Sequence, residues 1–233
     1  FAQGTVSANS YEETIQIKAR EFNEVDVVFN ELSSGSDVPR VVTTLGSTYF
    51  LRDDGRVFAV GENNSGQLGV GSHHNYGSAT VNTDNFMGAN VKKVYAEGRT
   101  AFFLLDNERV ASAGINTSGQ LGRGGSNHRN EIATIPNFAT DIKDVVIMGG
   151  SSFLLKNDGR VFVTGVNSQG QLGLGNTTNR NTFTQMPGIG GIATSEKVEK
   201  LVYNGGTTYF LMENKKVKAV GSNVSGQLGI GNT

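Results

Sequence analysis

Three groups of side chains in this 233-residue chain could do chemistry. His73-His74 and His128 are imidazoles that could ligate a metal, and Asp53-Asp54-Gly55 resembles the start of a calcium loop. Arg56, Arg109, Arg160 and Lys216 are cations that could attract an acidic partner. The first two fail on spacing. The histidines have no clustered carboxylate or thiol partners, so exposed loop histidines are the favoured reading and no metal is expected. Asp53-Asp54-Gly55 lacks the alternating oxygen ligands and terminal Glu of a calcium loop, which leaves a hairpin turn. No Gly-x-x-x-x-Gly-Lys-Ser/Thr string exists to cradle a phosphate, so no nucleotide or other cofactor is expected. No nucleophile stands at a motif spacing from a base, and no carboxylate pair stands out, so catalytic residues are not expected.

The cations lead to the elements that carry them, because all four occupy the same place in a repeat. "SGQLG" stands at 65–69, 118–122 and 225–229 and "QGQLG" at 169–173; the motif glutamines Gln67, Gln120, Gln171 and Gln227 follow one another at intervals of 53, 51 and 56 residues. Aligned on Gly61, Gly114, Gly165 and Gly221, the four copies hold register without a gap from the run Thr48–Leu51 and its equivalents through the motif. One structural unit per copy follows. The runs at 48–51, 101–104, 152–155 and 208–211 are aromatic and too short for helices, which predicts buried strands. Asp53-Asp54-Gly55 and Asn157-Asp158-Gly159 predict tight primed hairpin turns with Gly at positive φ. Asp106-Asn107-Glu108 and Glu213-Asn214-Lys215 fill the same place, with Asn expected in the left-handed region. Return strands carry Val57, Val110, Val161 and Val217. Further strands are expected before each unit (Val91–Tyr95, Val145–Ile147, Val198–Val202) and in the variable stretch after each motif. The fold class is all-β: antiparallel blades of about 50 residues.

Within the motif, the glycines admit backbone angles and close approaches that a Cβ forbids. Asn63, Asn116, Asn167 and Asn223 are expected to bond their own loop backbone. Leu68, Leu121, Leu172 and Leu228 are apolar pegs. Gln67, Gln120, Gln171 and Gln227 are expected to be buried, each tying its loop to backbone of the adjacent blade.

These residues resemble the regulator of chromosome condensation repeat family, whose units carry Gly-x-Asn-x-x-Gly-Gln-Leu-Gly at about this spacing; the likeness covers residues 41–233. Kelch repeats have a similar period of roughly 50 residues, but tryptophan is expected there and this chain has none. The resemblance implies a β-propeller, usually of seven blades. Four motifs form an incomplete ring, the last repeat ends at Thr233, and the family's Gly-His pair is replaced by Gly46-Ser47, Arg99-Thr100, Gly150-Ser151 and Gly206-Thr207. The chain therefore reads as part of a larger protein or as an open arc, its ring completed by blades of the same chain or of another. Residues 1–40 do not match the unit. Alternation at Ile15, Ile17, Ala19 and then Val25, Val27, Phe29 suggests a hairpin of a divergent blade or of a neighbouring domain.

Composition narrows function further. The 32 glycines with only 3 prolines fit a turn-rich fold, and a net charge of −1 makes nucleic acid an unlikely bulk partner. No apolar run is long enough to span a bilayer, and zero cysteines leave the compartment open. Asn-x-Ser/Thr sequons at Asn63, Asn116, Asn176 and Asn223 are mostly by-products of the repeat. The repeat is broken in the loops after each motif, which carry His73, Tyr76, His128, Arg129, Arg180 and Phe183, an aromatic and basic mix suited to contacting a protein. A non-enzymatic module binding another protein through one loop rim is the leading expectation. Two alternatives stand beside it: a guanine-nucleotide exchange factor for a Ran-like small GTPase, implied by the resemblance, and a secreted microbial binding or inhibitor propeller. The basic rim Arg56, Arg109, Arg160 and Lys216 is read either as an attractor of acidic partners or as turn charges paired with Asp54 and its equivalents; the second is favoured.

Overall fold

The computed structural model describes residues 15–16, 40–81, 88–136, 141–189 and 196–232. Among them every regular element is a β-strand. Blade 1 comprises β2 (Arg40–Thr43), β3 (Ser47–Leu51), β4 (Val57–Gly61) and β5 (Tyr76–Val81), and a short strand β1 (Ile15–Gln16) pairs with β5 at Ala79 and Ser78. Blade 2 comprises β6 (Val91–Glu97), β7 (Thr100–Leu105), β8 (Val110–Gly114) and β9 (Arg129–Thr134). Blade 3 repeats this as β10 (Ile142–Met148), β11 (Ser151–Lys156), β12 (Val161–Gly165) and β13 (Arg180–Gln185). Blade 4 has β14 (Val198–Asn204), β15 (Thr207–Met212) and β16 (Val217–Gly221). Apart from β1 at the edge of the first sheet, each sheet is an antiparallel meander in chain order, and β2, β6, β10 and β14 lie side by side as the innermost strands of an open arc. Apart from Ile15–Gln16 and Arg40, the hairpin expected in residues 1–40 lies outside the described residues.

Each seam between blades holds one apolar core, and the strand pattern explains why. In Thr-Tyr-Phe-Leu and its equivalents, neighbouring side chains point to opposite faces, and both faces are covered, so the run is continuously apolar. Tyr49, Leu51, Val57 and Leu68 meet Val94, Phe103 and Ile132 of blade 2. Phe102, Leu104 and Val110 meet Val145 and Leu154 of blade 3. Phe153, Leu155, Val161 and Leu172 meet Leu201, Phe210 and Met212 of blade 4. Tyr49 and Phe103 pack edge to face at 6.1 Å across the first seam. On the outer face of blade 4 the corresponding positions lie open: Leu228 is only partly buried, Val217 is 64% exposed where Val57, Val110 and Val161 are buried, and Ile230 is 65% exposed. The apolar peg role therefore holds for Leu68, Leu121 and Leu172, each worth roughly 1.5–3 kcal/mol, and not for Leu228, because what buries a peg is the next blade.

The hairpin turns depart from expectation. Gly55 N–H donates to the Arg52 carbonyl (3.0 Å) and Arg52 N–H to the Arg56 carbonyl (2.9 Å), while positive φ is confined to Gly55 at 81°. This is a normal turn followed by one left-handed residue, a three-residue hairpin, and not a primed turn. The left-handed position is the third, so in blades 2 and 4 it falls on Glu108 (62°) and Lys215 (64°) and not on Asn107 or Asn214. Those asparagines instead accept from the backbone N–H two residues on, Arg109 and Lys216, each at 3.1 Å. A short amide is selected there as an acceptor, as Asp54 and Asp158 are in the other turns.

Candidate partner-binding rim

The motif loop is held by two side chains acting within it. Asn63 is fully buried; its Oδ1 accepts from Leu68 N–H (2.9 Å) and its Nδ2 donates to the Ser72 carbonyl (2.9 Å). Asn116, Asn167 and Asn223 repeat the first bond to Leu121, Leu172 and Leu228 at 2.9, 2.9 and 2.8 Å. The glutamines are buried or partly buried, but their side chains do not cross the seam. Gln67, Gln120, Gln171 and Gln227 each accept, through Oε1, the N–H two residues earlier, at 3.0, 2.9, 2.9 and 2.8 Å. Carrying the side chain back over its own loop leaves the Gln67 Nε2 buried without a partner among the described residues.

Backbone makes the seam instead. Gly71 N–H donates to the Asn130 carbonyl (2.7 Å), and Gly124 N–H to the Asn181 carbonyl (2.9 Å). A Cβ on Gly66 would stand 2.3 Å from the Asn130 Cα, and one on Gly119 2.4 Å from the Asn181 Cα. Thr164 and Thr208 O–H groups add cross-blade bonds to the Gly119 and Gln171 carbonyls at 2.8 and 2.9 Å. The motif loops of blades 1 and 2 are thus seated on the outer strand of the following blade.

The two sets of candidate residues lie at opposite ends of the strands. Tyr76, Arg129 and Arg180 open the outer strands, paired with Gly61, Gly114 and Gly165 at the motif-loop end. Arg56, Arg109, Arg160 and Lys216 follow the hairpin turns at the other end. At the loop end His73, His74 and His128 are exposed, and no group of three or more His, Cys, Asp or Glu side chains among the described residues could hold a metal. Tyr76 O–H is 3.0 Å from Ser72 Oγ, and Arg180 donates to the carbonyls of Thr178 and Asn179 and to Asn176 Oδ1. Phe183 belongs to the seam: it is half-buried, edge-on to Phe102 at 6.3 Å, and a Cβ on Gly122 would stand 2.2 Å from its ring. It packs there as Ile132 packs on Gly69 one blade earlier, so it offers a partner only its rim edge.

At the turn end the basic set is divided. Arg56 Nε pairs with Asp54 at 2.8 Å and Arg160 Nε with Asp158 at 2.7 Å, whereas Arg109 and Lys216 have Asn in that place. Burial opposes ionisation of Asp158, but the Arg160 amide and guanidinium outweigh it and hold the carboxyl below its ordinary value. Because the folded value is depressed, this pair's stabilisation is present above the unfolded Asp value of about 3.9 and is lost as pH falls through the folded one. Asp158→Asn keeps the turn acceptor, as Asn107 and Asn214 do, and removes the ion pair. Its expected cost in urea denaturation is roughly 0.2–1 kcal/mol at pH 7, with the difference from the parent chain shrinking to nothing once acid protonates Asp158.

Antiparallel blades of three or four strands around one axis, each with a Gly-x-Asn-x-x-Gly-Gln-Leu-Gly loop, define a β-propeller repeat protein. The model of the regulator of chromosome condensation (RCC1) repeat matches residues 54–83 and 158–199. The chain is 33% identical over 160 residues to the X-linked retinitis pigmentosa GTPase regulator of Homo sapiens, covering 67% of this chain and 14% of that protein. To the secretion-regulating guanine nucleotide exchange factor of Bos taurus it is 34% identical over 122 residues, 50% of this chain and 25% of that one. This chain therefore spans a quarter or less of these curated relatives. Among solved structures, human WBSCR16 superposes with a TM-score of 0.69 at 22% identity, covering 84% of this chain and 51% of that one. Yeast RCC1 (Prp20), solved bound to Kap60, gives 0.67 at 16% identity, covering 85% and 47%. The chain belongs to the regulator of chromosome condensation repeat family.

Proposed function

We propose that this chain is a non-enzymatic protein-interaction propeller that grips another protein through the motif-loop rim, with residues 41–233 forming the repeats and 1–40 standing outside them. The observation that carries this reading is the division of labour at that rim. The motif loops are immobilised by buried Asn and Gln side chains and by the next blade, while the residues between Ser72 and Tyr76, and between Gly125 and Arg129, differ from blade to blade and stay exposed. A stiff frame displaying variable side chains suits recognition. The arc is completed by further blades of the same or another chain, which would cover Val217 and Ile230. A photo-crosslinker at position 73 or 128 is expected to capture the partner, and one at position 109, at the turn end, is not. Capture at position 109 alone would overturn the rim assignment.

A second reading is favoured by the names of the relatives, a GTPase regulator and a guanine nucleotide exchange factor. On that reading the partner is a small GTPase. Accelerated release of labelled GDP from one member of a GTPase panel would select it.

A further inference from the structure

Two departures from the repeat coincide in blade 2. The variable position of Gln-Leu-Gly-x-Gly is Val70, Leu174 and Ile230 in blades 1, 3 and 4, and Arg123 in blade 2. The Arg123 side chain is 10% exposed and enters the bulge between β8 and β9, where Nη1 donates to the Ser112 and Glu131 carbonyls, both at 3.2 Å. The second departure concerns Arg129. Its equivalents are satisfied by a side chain four residues earlier: Ser72 serves Tyr76 and Asn176 serves Arg180. In blade 2 that position is Gly125, which has no side chain to offer, and the Arg129 Nε is buried without an acceptor among the described residues.

The carboxylate that faces Arg123 is loosely held: Glu131 Oε1 lies 3.8 Å from Arg123 Nη2 and its side chain is 62% exposed. Burial, and then the charge of Arg129, make the Arg123 cation less favourable than usual, with Glu131 opposing them. Beside Arg123 runs a cleft of about 230 Å³ lined by Ile135, Pro136, Thr182 and Phe183. A buried donor without an acceptor is costly, and an ionised acceptor is its strongest complement.

We propose that Arg123 and Arg129 form a carboxylate-binding site that takes an aspartate or glutamate side chain of a partner protein, with an apolar neighbour of that residue in the adjoining cleft. The proposal rests on the rim-binding reading and gives that rim its chemistry. Arginine suits the task because its planar fork meets both carboxylate oxygens.

The test is a titration of the whole 233-residue chain with acetyl-Ile-Glu-Leu-amide, followed by ¹⁵N shifts of the arginine Nε–H groups and the Gly124 and Gly125 amides. Saturable shifts at Arg123 and Arg129 are expected, with binding at least about tenfold weaker for the Gln peptide, the loss expected for a charged hydrogen bond. Arg123→Leu restores the apolar residue of the other blades, so the fold should persist while binding falls by a similar factor; Arg129→Gln should do the same. Equal binding of the Glu and Gln peptides, unchanged binding by Arg123→Leu, or shifts spread over Arg109 and Lys216 would overturn the site. Tighter binding of a phosphoserine peptide than of the Glu peptide would overturn the carboxylate assignment. Partner capture at position 73 or 128 that survives Arg123→Leu would reject this site while leaving the rim reading intact.

Discussion

Gly114→Ala is expected to cost roughly 2–6 kcal/mol, combining backbone strain of about 1–3 with overpacking of about 1–3 kcal/mol. Gly114 sits at φ 109°, where a side chain is rarely accommodated, and its added Cβ would stand 2.1 Å from the Arg99 carbonyl oxygen and 3.2 Å from the Gln67 Cα. The first contact is with the chain's own sheet; the second is with the motif loop of blade 1. Neither neighbour can retreat, because both are backbone, and the substitution should loosen the first seam as well as blade 2. Gly71→Ala is the control. Its φ of 78° is also positive, but nothing lies within 4 Å of the added methyl, so only the conformational penalty of about 1–2 kcal/mol remains. Urea denaturation of both variants measures the difference. Equal midpoints would show that close approach contributes nothing, and the seam would then need a different physical basis.

Asn167→Ala should be comparably damaging for a different reason. The amide is fully buried, its Oδ1 accepts from Leu172 N–H at 2.9 Å, and its Nδ2 donates to the Asn176 and Thr178 carbonyls at 2.8 and 3.1 Å. Truncation strands a buried N–H and weakens the satisfaction of two carbonyls. At about 1–3 kcal/mol for each buried group left unpaired, the expected loss is roughly 2–5 kcal/mol. Asn167→Asp sharpens the test because it preserves shape and acceptor but turns the donor into an oxygen facing two carbonyls. It should be as destabilising as alanine at pH 7. Asn223→Ala, in the partly exposed loop of blade 4, should cost visibly less, since water can replace the lost partners. Chemical denaturation of the three variants against the parent chain checks the order, and a mild Asn167→Asp would contradict the donor role.

Much of the fold is readable in the residues. The gapless register from Thr48 through Gly71 and its three copies places the strands, hairpins and latch loops, and the Asn63 role follows from what a short amide does beside its own backbone. Two local readings fail for local reasons. A turn containing Asp-Gly can be a primed turn or a normal turn followed by a left-handed residue, and the choice depends on how the flanking strands pair. A glutamine can reach its own loop or the next one, and composition does not distinguish them. The Arg123 and Arg129 site escapes a search for shared motifs, although its signal is present as a departure from them: Arg123 stands where three copies are apolar, and Gly125 where Ser72 and Asn176 carry acceptors.

By itself, the order of residues determined what each unit is, because φ preference, side-chain alternation and Asn-to-backbone bonding act over a few positions. Only the tertiary structure decided which face of a strand meets which blade and that Phe183 belongs to a seam. Those facts depend on contacts between residues about a repeat apart, and a repeat presents the same local pattern whether or not a neighbouring blade covers it.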